Sequence, residues 1–238
     1  MKKEILLGES LEKMDFAIFD FDGTIYPGLF LYDMALEMFL ARGLPDDKNK
    51  LKKLEEISDL YKEGRFEEAY SDFLDILRLE KKEDFVKITN KLVDNIYEHA
   101  KKTIRKLHEE YNLDTYLISM TSSFVAEVVT KKLNLNGFEA VEFLTIGKGR
   151  NCIFDGRSQL RINDPKIVKK TLLTQLFSKV GNDKKFVCFV NSEDDLPIIK
   201  KASLKIGINP TKKLLEELNL DLVIINNTDP WIEFYKLL

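Results

Sequence analysis

The chain has 238 residues and a mass of 27.7 kDa, which corresponds to one large domain or to one domain with a sizeable insert. Apolar residues make up 44% and charged residues 32% of it, a globular composition that excludes a disordered or collagen-like chain. The 37 basic and 40 acidic side chains give a net charge of −3, which excludes nucleic-acid binding through a strongly basic face.

Cysteine content and hydropathy indicate the cellular compartment of the protein. Its two cysteines cannot form a disulfide framework, which favours a reducing compartment. No apolar run approaches the roughly 18 residues that a membrane span needs. The run Ile5-Leu6-Leu7 is too short for a secretion signal. We therefore expect a cytoplasmic protein without a membrane partner.

The first predicted element is a strand at 16–19, an entirely apolar run between Asp15 and Asp20. Such a run is typical of a strand that is buried on both faces of a parallel sheet. Comparable runs lie at 115–118, 186–190, 204–208 and 222–225. Helical patterns alternate with these later strands, which predicts an α/β fold with a doubly wound parallel sheet. Ligands of such folds bind outside the carboxyl ends of the strands, where Asp20, Ser119 and Asn191 fall.

Residues 29–106 follow a different pattern, because they contain no strand-like run. Helical stripes of apolar side chains occupy this region, at 31–39, 51–60, 66–77 and 85–96. The pattern predicts an all-helical insert that separates the first strand from the rest of the sheet. The sheet domain would then consist of residues 1–28 and 107–238. A β-hairpin or a loop excursion is expected at 148–158.

The segment Asp20-Phe21-Asp22-Gly23-Thr24 carries the clearest chemical signal, because it directly follows the first strand. Two carboxylates that are two positions apart at a strand end can reach one crevice. One of them could attack phosphorus, and the other could protonate the leaving oxygen and later deprotonate water. A divalent cation would be needed to bring a phosphate dianion beside them, and Mg²⁺ suits oxygen ligands. Gly23 permits a tight turn and the Thr24 hydroxyl can form a local hydrogen bond, so both are expected in the substrate-binding loop.

The run Ile18-Phe19-Asp20-Phe21-Asp22-Gly23-Thr24 resembles the first motif of the haloacid dehalogenase superfamily of aspartate-nucleophile phosphohydrolases. The resemblance implies a Rossmann-like core. The helical insert is similar to the cap of the branch that includes phosphoserine phosphatase. The resemblance also implies that Asp20 is the nucleophile and a metal ligand. It implies that Asp22 is the general acid and base, with its main-chain carbonyl on Mg²⁺.

The second motif of that superfamily is a strand that ends in Ser or Thr, and Leu117-Ile118-Ser119 fits it. A hydroxyl at a strand end can donate a hydrogen bond to a phosphate oxygen. The following residues, Met120 and Thr121, offer main-chain N–H groups near a helix start, which suits an anion. We therefore predict Ser119, Met120 and Thr121 as substrate-binding residues.

The third motif is a lysine near a helix start. Lys166 fits it by order and position, while Lys169 and Lys170 compete for the same assignment. A cation there would hold the nucleophile and the phosphate together. We therefore predict Lys166 as the catalytic lysine.

The fourth motif departs from the superfamily, which has Gly-Asp, three residues and then Asp. This chain has Val190-Asn191 and then Asp195, so Asn191 occupies the place of a metal-binding Asp. An amide oxygen can bind Mg²⁺ but brings no negative charge, so we expect weaker metal binding. Asn191 and Asp195 are predicted as metal ligands, with a local shift toward Asp194 as an alternative.

Taken together, these motifs predict a Mg²⁺-dependent phosphomonoester hydrolase that acts on a small phosphorylated metabolite through an aspartyl-phosphate on Asp20. Phosphoserine activity is not carried over, because Leu29 stands where phosphoserine-type enzymes have a Glu nine residues after the nucleophile. An alternative follows from Asn191. In this alternative, the chain has kept the fold but has lost efficient catalysis. It would then bind a phosphorylated ligand or a protein partner. A phosphotransferase that passes the phosphoryl group to an alcohol is a third reading.

Overall fold

The computed structural model describes residues 2–63, 65–149, 152–160 and 164–238. Its strands are β1 (Phe16–Phe19), β2 (Asp114–Ser122), β3 (Gly137–Val141), β4 (Phe143–Ile146), β5 (Ile153–Ser158), β6 (Phe186–Val190), β7 (Leu204–Ile208) and β8 (Leu222–Ile224). Its helices are α1 (Lys2–Leu11), α2 (Phe30–Arg42), α3 (Pro45–Lys62), α4 (Phe66–Leu77), α5 (Lys82–Leu92), α6 (Glu98–Glu109), α7 (Ser123–Leu133), α8 (Pro165–Val180), α9 (Leu196–Ile199), α10 (Lys212–Glu217) and α11 (Trp231–Leu237). Short 3-10 turns cover Val93–Asn95 and Glu193–Asp195.

A parallel sheet in the order β3-β2-β1-β6-β7-β8 forms the centre of the described structure. All residues of β1 are buried, as its uninterrupted apolar run predicts. Phe16 of β1 lies opposite Asp114 of β2 on one side and Phe186 of β6 on the other. The chain therefore builds the sheet outward from β1 in both directions, and the predicted doubly wound parallel sheet is confirmed. The crevice at the carboxyl end of β1, where the direction reverses, is the expected ligand site.

The aromatic core lies directly beneath this crevice. Phe19 of β1 stacks on Phe189 of β6 with ring centroids 4.7 Å apart. Trp231, which begins α11 and is fully buried, packs against both rings. Its indole N–H donates a hydrogen bond of 2.9 Å to the main-chain oxygen of Thr24. The C-terminal helix thus holds the loop that follows β1 in place.

The insert between β1 and β2 is helical over α2 to α5, and α4 places its apolar stripe inward, with Ala69, Phe73 and Leu77 buried. One feature of the cap is not helical. The β4–β5 hairpin reaches it, since the Leu79 N–H donates to Phe154 O at 2.8 Å and the Phe154 N–H donates to Glu80 O at 2.9 Å. The hairpin expected at 148–158 therefore corresponds to β4 and β5 and begins earlier, at Phe143. Residues 150 and 151 of that prediction lie outside the described residues.

The boundary predicted at residue 106 falls inside helix α6. Helix α6 packs against α11 and β2, which belong to the sheet domain. We therefore propose that the helical insert ends at the 3-10 turn Val93–Asn95 and that α6 belongs to the core. Within the described residues, no helix is both long enough and apolar enough to cross a bilayer.

Candidate active site

The loop after β1 forms a tight turn that the sequence specifies closely. The main-chain N–H of Asp20 donates to Phe189 O at 3.0 Å, which continues the pairing of β1 with β6 by one residue. Gly23 has a φ of +73°, a conformation that favours glycine. A Cβ on Gly23 would also lie 2.1 Å from Asn191 Nδ2. Glycine is thus required by backbone conformation and by the close approach of Asn191.

Asp20 lies at the floor of a cavity and is almost fully buried. Its Oδ2 accepts a hydrogen bond of 3.0 Å from Thr24 Oγ1, and its Oδ1 accepts one from Lys169 Nζ. Lys169 Nζ also donates to Ile118 O at 3.1 Å and lies 2.8 Å from Asp195 Oδ1. One ammonium group therefore connects the loop after β1 with β2 and with the turn after β6.

This contact favours Lys169, and not the predicted Lys166, as the candidate catalytic lysine. Asp164 Oδ1 caps α8 by accepting from the Lys166 N–H at 2.8 Å, so Lys166 lies in the first turn of the helix and its side chain is half-buried. Lys169 lies on the same face one turn deeper and is 3% exposed. At this depth Lys169 reaches both Asp20 and the main chain of β2 at Ile118.

The charges around Lys169 determine its protonation. Burial by itself would lower the pKa of Lys169, but the carboxylates of Asp195 and Asp20 raise that pKa above its ordinary value. Lys169 is therefore a permanent cation at neutral pH. Asp195 is fully buried and is not among the residues that line the cavity, and burial raises its pKa. The structure thus pairs Asp195 with Lys169, whereas the sequence predicted it as a metal ligand.

Asp22 lies beside Asp20 in an environment that favours its protonated form. Burial raises the pKa of Asp22 to about 7, with the negative charge of Asp20 adding to the shift and Lys169 opposing it. The main-chain N–H of Phe30, the first residue of α2, donates to Asp22 Oδ1 at 2.6 Å and also opposes the shift. A carboxyl group with a pKa near neutrality can both give and take a proton.

The second motif is displaced by two residues from its predicted position. Strand β2 continues to Ser122, so Ser119 lies within it, fully buried, and its Oγ accepts from the Thr121 N–H at 3.0 Å. Ser119 is not among the residues that line the cavity, whereas Met120 and Thr121 are. Thr121 Oγ1 is buried and has no hydrogen-bond partner within the described part of the chain. Thr121 is therefore the candidate phosphate-binding hydroxyl, and Ser119 fixes its main chain.

The oxygen donors for a cation come from Asp20, Asp22, Asn191 and Asp194, which all line the cavity. Burial raises the pKa of Asp194 to about 6. No group of three His, Cys, Asp or Glu side chains within the described ranges could hold a metal ion by itself. The set nevertheless contains the Asp20 and Asp194 carboxylates, the Asn191 amide and the Asp22 carbonyl. This chemistry fits a hard cation such as Mg²⁺, with less negative charge than three carboxylates would give.

The cavity above these groups has a volume of about 410 Å³ and two unlike halves. Its floor is polar and is formed by the loops after β1 and β6, by the last residues of β2 and by Lys169 of α8. Its roof consists of cap residues, namely Leu31 and Tyr32 of α2, Ile57, Ser58 and Tyr61 of α3, and Phe66, Ala69, Tyr70 and Phe73 of α4. The sequence places the roof stripes in the helical insert but does not identify them as facing a cavity, because such stripes follow the same period as core-facing positions.

Comparison with solved structures agrees with this architecture. A substrate-bound phosphoserine phosphatase complex is similar at a TM-score of 0.70 and 20% identity, over 94% of this chain and 98% of that chain. A phospho-aspartyl intermediate analogue of phosphoserine phosphatase has a TM-score of 0.68 and 21% identity over the same shares. A protein of unknown function from Bordetella pertussis Tohama I has a TM-score of 0.67 and 19% identity, over 84% of this chain and 92% of that chain. At these identities the likeness establishes the fold.

The family assignment comes from the sequence itself. None of the curated proteins is similar enough to this chain to count as a match. The family model of haloacid dehalogenase-like hydrolases, however, matches residues 17–199, which is most of the chain and includes Asp20, Thr121, Lys169 and Asn191. The chain therefore belongs to the haloacid dehalogenase-like hydrolases.

Proposed function

We propose that this hydrolase is a Mg²⁺-dependent phosphomonoester phosphatase that works through an aspartyl-phosphate on Asp20. The observation that carries the proposal is the position of the Asp20 carboxylate at the cavity floor, oriented by Lys169 on one oxygen and by Thr24 on the other. A carboxylate held in this way is preorganised for attack on an electrophile that enters from the cap side.

In the first step, an Asp20 carboxylate oxygen attacks phosphorus and the bond from phosphorus to the leaving oxygen breaks. Asp22 donates its proton to that leaving oxygen, which its pKa of about 7 permits at neutral pH. Lys169 and the Thr121 hydroxyl lie where they can stabilise the phosphoryl oxygens. The main-chain N–H groups at the start of α7 add further donors for an anion.

In the second step, the Asp22 carboxylate takes a proton from a water molecule, and the water oxygen attacks the phosphorus of the aspartyl-phosphate. The bond from phosphorus to Asp20 breaks, so the Asp20 carboxylate is restored and inorganic phosphate leaves. Asp22 is protonated again at the end of this step. One residue thus serves as acid and then as base, and no external proton donor is required.

The residues that would hold Mg²⁺ are Asp20, the main-chain carbonyl of Asp22, Asn191 and Asp194. The cation would neutralise the phosphate dianion so that it can approach two carboxylates. Asp194 replaces Asp195 in this proposal, because Asp195 is fully buried and paired with Lys169.

The substrate that we propose is a small phosphorylated metabolite, and neither nucleic acid nor a membrane is an expected partner. The similar phosphoserine phosphatases are about one-fifth identical in sequence to this chain. In addition, Leu29 occupies the position at which a Glu would be expected for phosphoserine. We therefore do not propose phosphoserine. The cytoplasmic location stays a prediction from cysteine content.

A second candidate function is favoured by Asn191, which lines the cavity in the place of a carboxylate. With weakened metal binding, the chain would bind a phosphorylated ligand or a protein partner and turn it over slowly or not at all. Turnover of the wild type, measured beside the Asn191→Asp variant, separates the two candidates. Fast wild-type turnover contradicts the binding function, and activity that arises only in the variant supports it.

The main experiment is an assay of a generic aryl phosphate with Mg²⁺, using the wild type and Asp20→Asn. We expect turnover by the wild type only, and we expect beryllium fluoride to form its adduct on Asp20. A thermal melt controls for folding of the variant, in which Lys169 keeps its ion pair with Asp195. Equal rates for the two proteins, or an adduct on another residue, would contradict the proposal.

A further inference from the structure

The cap half of the cavity contains no charged side chain among the described residues that line it. Lys169 is the sole cation in that lining, and its contacts are with Asp20, Ile118 and Asp195 at the floor. The carboxylates of the lining, Asp20, Asp22 and Asp194, also belong to the floor. A substrate that brings its own ammonium or carboxylate group to the roof would therefore lose water without gaining a partner of opposite charge.

The roof is instead built mainly from aromatic and aliphatic side chains, and its polar groups are the uncharged hydroxyls of Ser58 and the tyrosines. Tyr61 of α3 and Phe66 of α4 meet edge to face, with ring centroids 5.0 Å apart. Tyr70 and Phe73 continue this wall along α4, and Leu31 of α2 also lines the cavity. Rings in edge-to-face contact with such a wall bury a large apolar area in a defined orientation. The surface is therefore complementary to a flat or branched hydrocarbon group.

We propose, as a conclusion that rests on the proposed phosphatase function, that the substrate is a phosphate ester of an uncharged, largely apolar alcohol that carries a ring. Its phosphate lies at the floor, near Asp20 and Thr121, and its ring lies against Tyr61, Phe66 and Tyr70. The cavity volume of about 410 Å³ is within the range of sites that enclose small organic molecules, so a phosphate and one ring fit together.

The test compares two phosphonates that cannot be hydrolysed. The first, 3-phenylpropylphosphonate, mimics a phenylethyl phosphate, and the second, 2-amino-4-phosphonobutanoate, mimics phosphoserine. We expect calorimetry with Mg²⁺ to give a Kd for the phenyl compound that is lower by at least about tenfold, because only its ring is complementary to the roof.

A charge placed in the roof should weaken or abolish this preference. Tyr61→Arg adds a cation to the lining, which can pair with the carboxylate of the amino acid phosphonate. We therefore expect the Kd of the amino acid phosphonate divided by the Kd of the phenyl compound to fall by at least about tenfold. Leu40→Arg is the matched control, because Leu40 lies on α2 outside the lining and is 60% exposed. This control should keep the wild-type ratio.

The outcomes separate this inference from the proposed function, because binding of the phosphonates requires no chemistry. Preferred binding of the phenyl compound supports the inference even if no ester is hydrolysed, in which case the proposed function alone fails. Hydrolysis combined with equal or tighter binding of the amino acid phosphonate overturns the inference and leaves the phosphatase function standing. Failure of both phosphonates to bind overturns the inference, as does an unchanged ratio in Tyr61→Arg.

Discussion

The floor and the roof of the cavity are stabilised in opposite ways. At the floor, the buried groups Asp20, Lys169 and Asp195 are held by one another, and Asp22 is held by a main-chain N–H. At the roof, side chains are packed by shape, and Tyr61 remains more than one-third exposed. Removal of one partner at the floor leaves an unpaired charge in a buried site, whereas truncation of an apolar side chain at the roof alters only contact area. We therefore expect large effects on chemistry from the floor and graded effects on specificity from the roof.

After loss of the nucleophile itself, the largest effect is expected from Asp22→Asn, which keeps the side-chain shape but removes the proton donor. Turnover of an alkyl phosphate should fall by about 10²–10⁴-fold, because its alkoxide leaving group needs a proton. A nitrophenyl phosphate should still release one equivalent of phenol in a burst, since its leaving group needs no proton, and then stop at the aspartyl-phosphate. Rapid-quench measurement of phenol and phosphate checks both parts.

The pH profile of the wild type sharpens the same prediction. The proton donor must carry its proton, so kcat/KM for the alkyl ester should fall as the pH rises through about 7, the pKa of Asp22. The aryl ester should lack this fall. A result in which both esters lose activity equally with pH, and in which Asp22→Asn shows no burst, would remove Asp22 from the role of general acid.

The next largest effect is expected from Lys169→Met. This change leaves Asp20 and Asp195 buried without a cation, so the free energy of unfolding should fall by about 3–5 kcal/mol. The kcat/KM should fall by about 10²–10³-fold, because the phosphoryl oxygens lose their positive partner. Lys166→Met is the matched control one helical turn away and should stay close to wild type in denaturant melts and assays. Equal losses in the two variants would restore the original assignment of Lys166.

A smaller effect should distinguish the two hydroxyl groups at the end of β2. Thr121→Val removes the unpartnered hydroxyl in the cavity, and the loss of one hydrogen bond to a charged group should lower kcat/KM by roughly 10–100-fold. Ser119→Ala should instead lower the free energy of unfolding by about 1 kcal/mol, because the Thr121 N–H loses its acceptor. The reverse pattern would return the phosphate-binding role to Ser119.

The contacts at the floor also indicate how much of it was predictable from the sequence. The apolar run of β1 followed by Asp20 and Asp22 predicted the sheet, the crevice and both carboxylates, because a buried parallel strand has few alternative readings. Lys166 was predicted, one helical turn before the lysine that contacts Asp20, because position near a helix start does not specify depth. Thr121 was ranked below Ser119, because the end of β2 was placed at Ser119. Side chains two positions apart on a strand share a face, and this periodicity is the signal that could have found Thr121.

The roof was predictable only as a set of helices. Periodicity identified the apolar stripes of α3 and α4, but a stripe that faces a cavity and a stripe that faces a core have the same spacing. The hairpin β4–β5 contacts the cap through main-chain groups at Leu79 and Glu80, a pairing that side-chain patterns do not encode. Tertiary position therefore decided which apolar residues line the cavity.

The smallest effect that we expect from the floor comes from Asn191→Asp, which restores a carboxylate without changing the size of the side chain. Because Asn191 approaches Gly23 closely, a replacement of the same size avoids a new clash there. Without metal, a third carboxylate near Asp20 and Asp194 adds repulsion, so the melting temperature should fall slightly. With Mg²⁺ the added charge should lower the concentration needed for half-maximal activity by about tenfold, and the melting temperature should recover. Titration with Mg²⁺, followed by activity and by melting temperature, measures both effects. An unchanged Mg²⁺ dependence would mean that the side chain at position 191 does not contact the metal. The metal would then be held by fewer ligands than proposed.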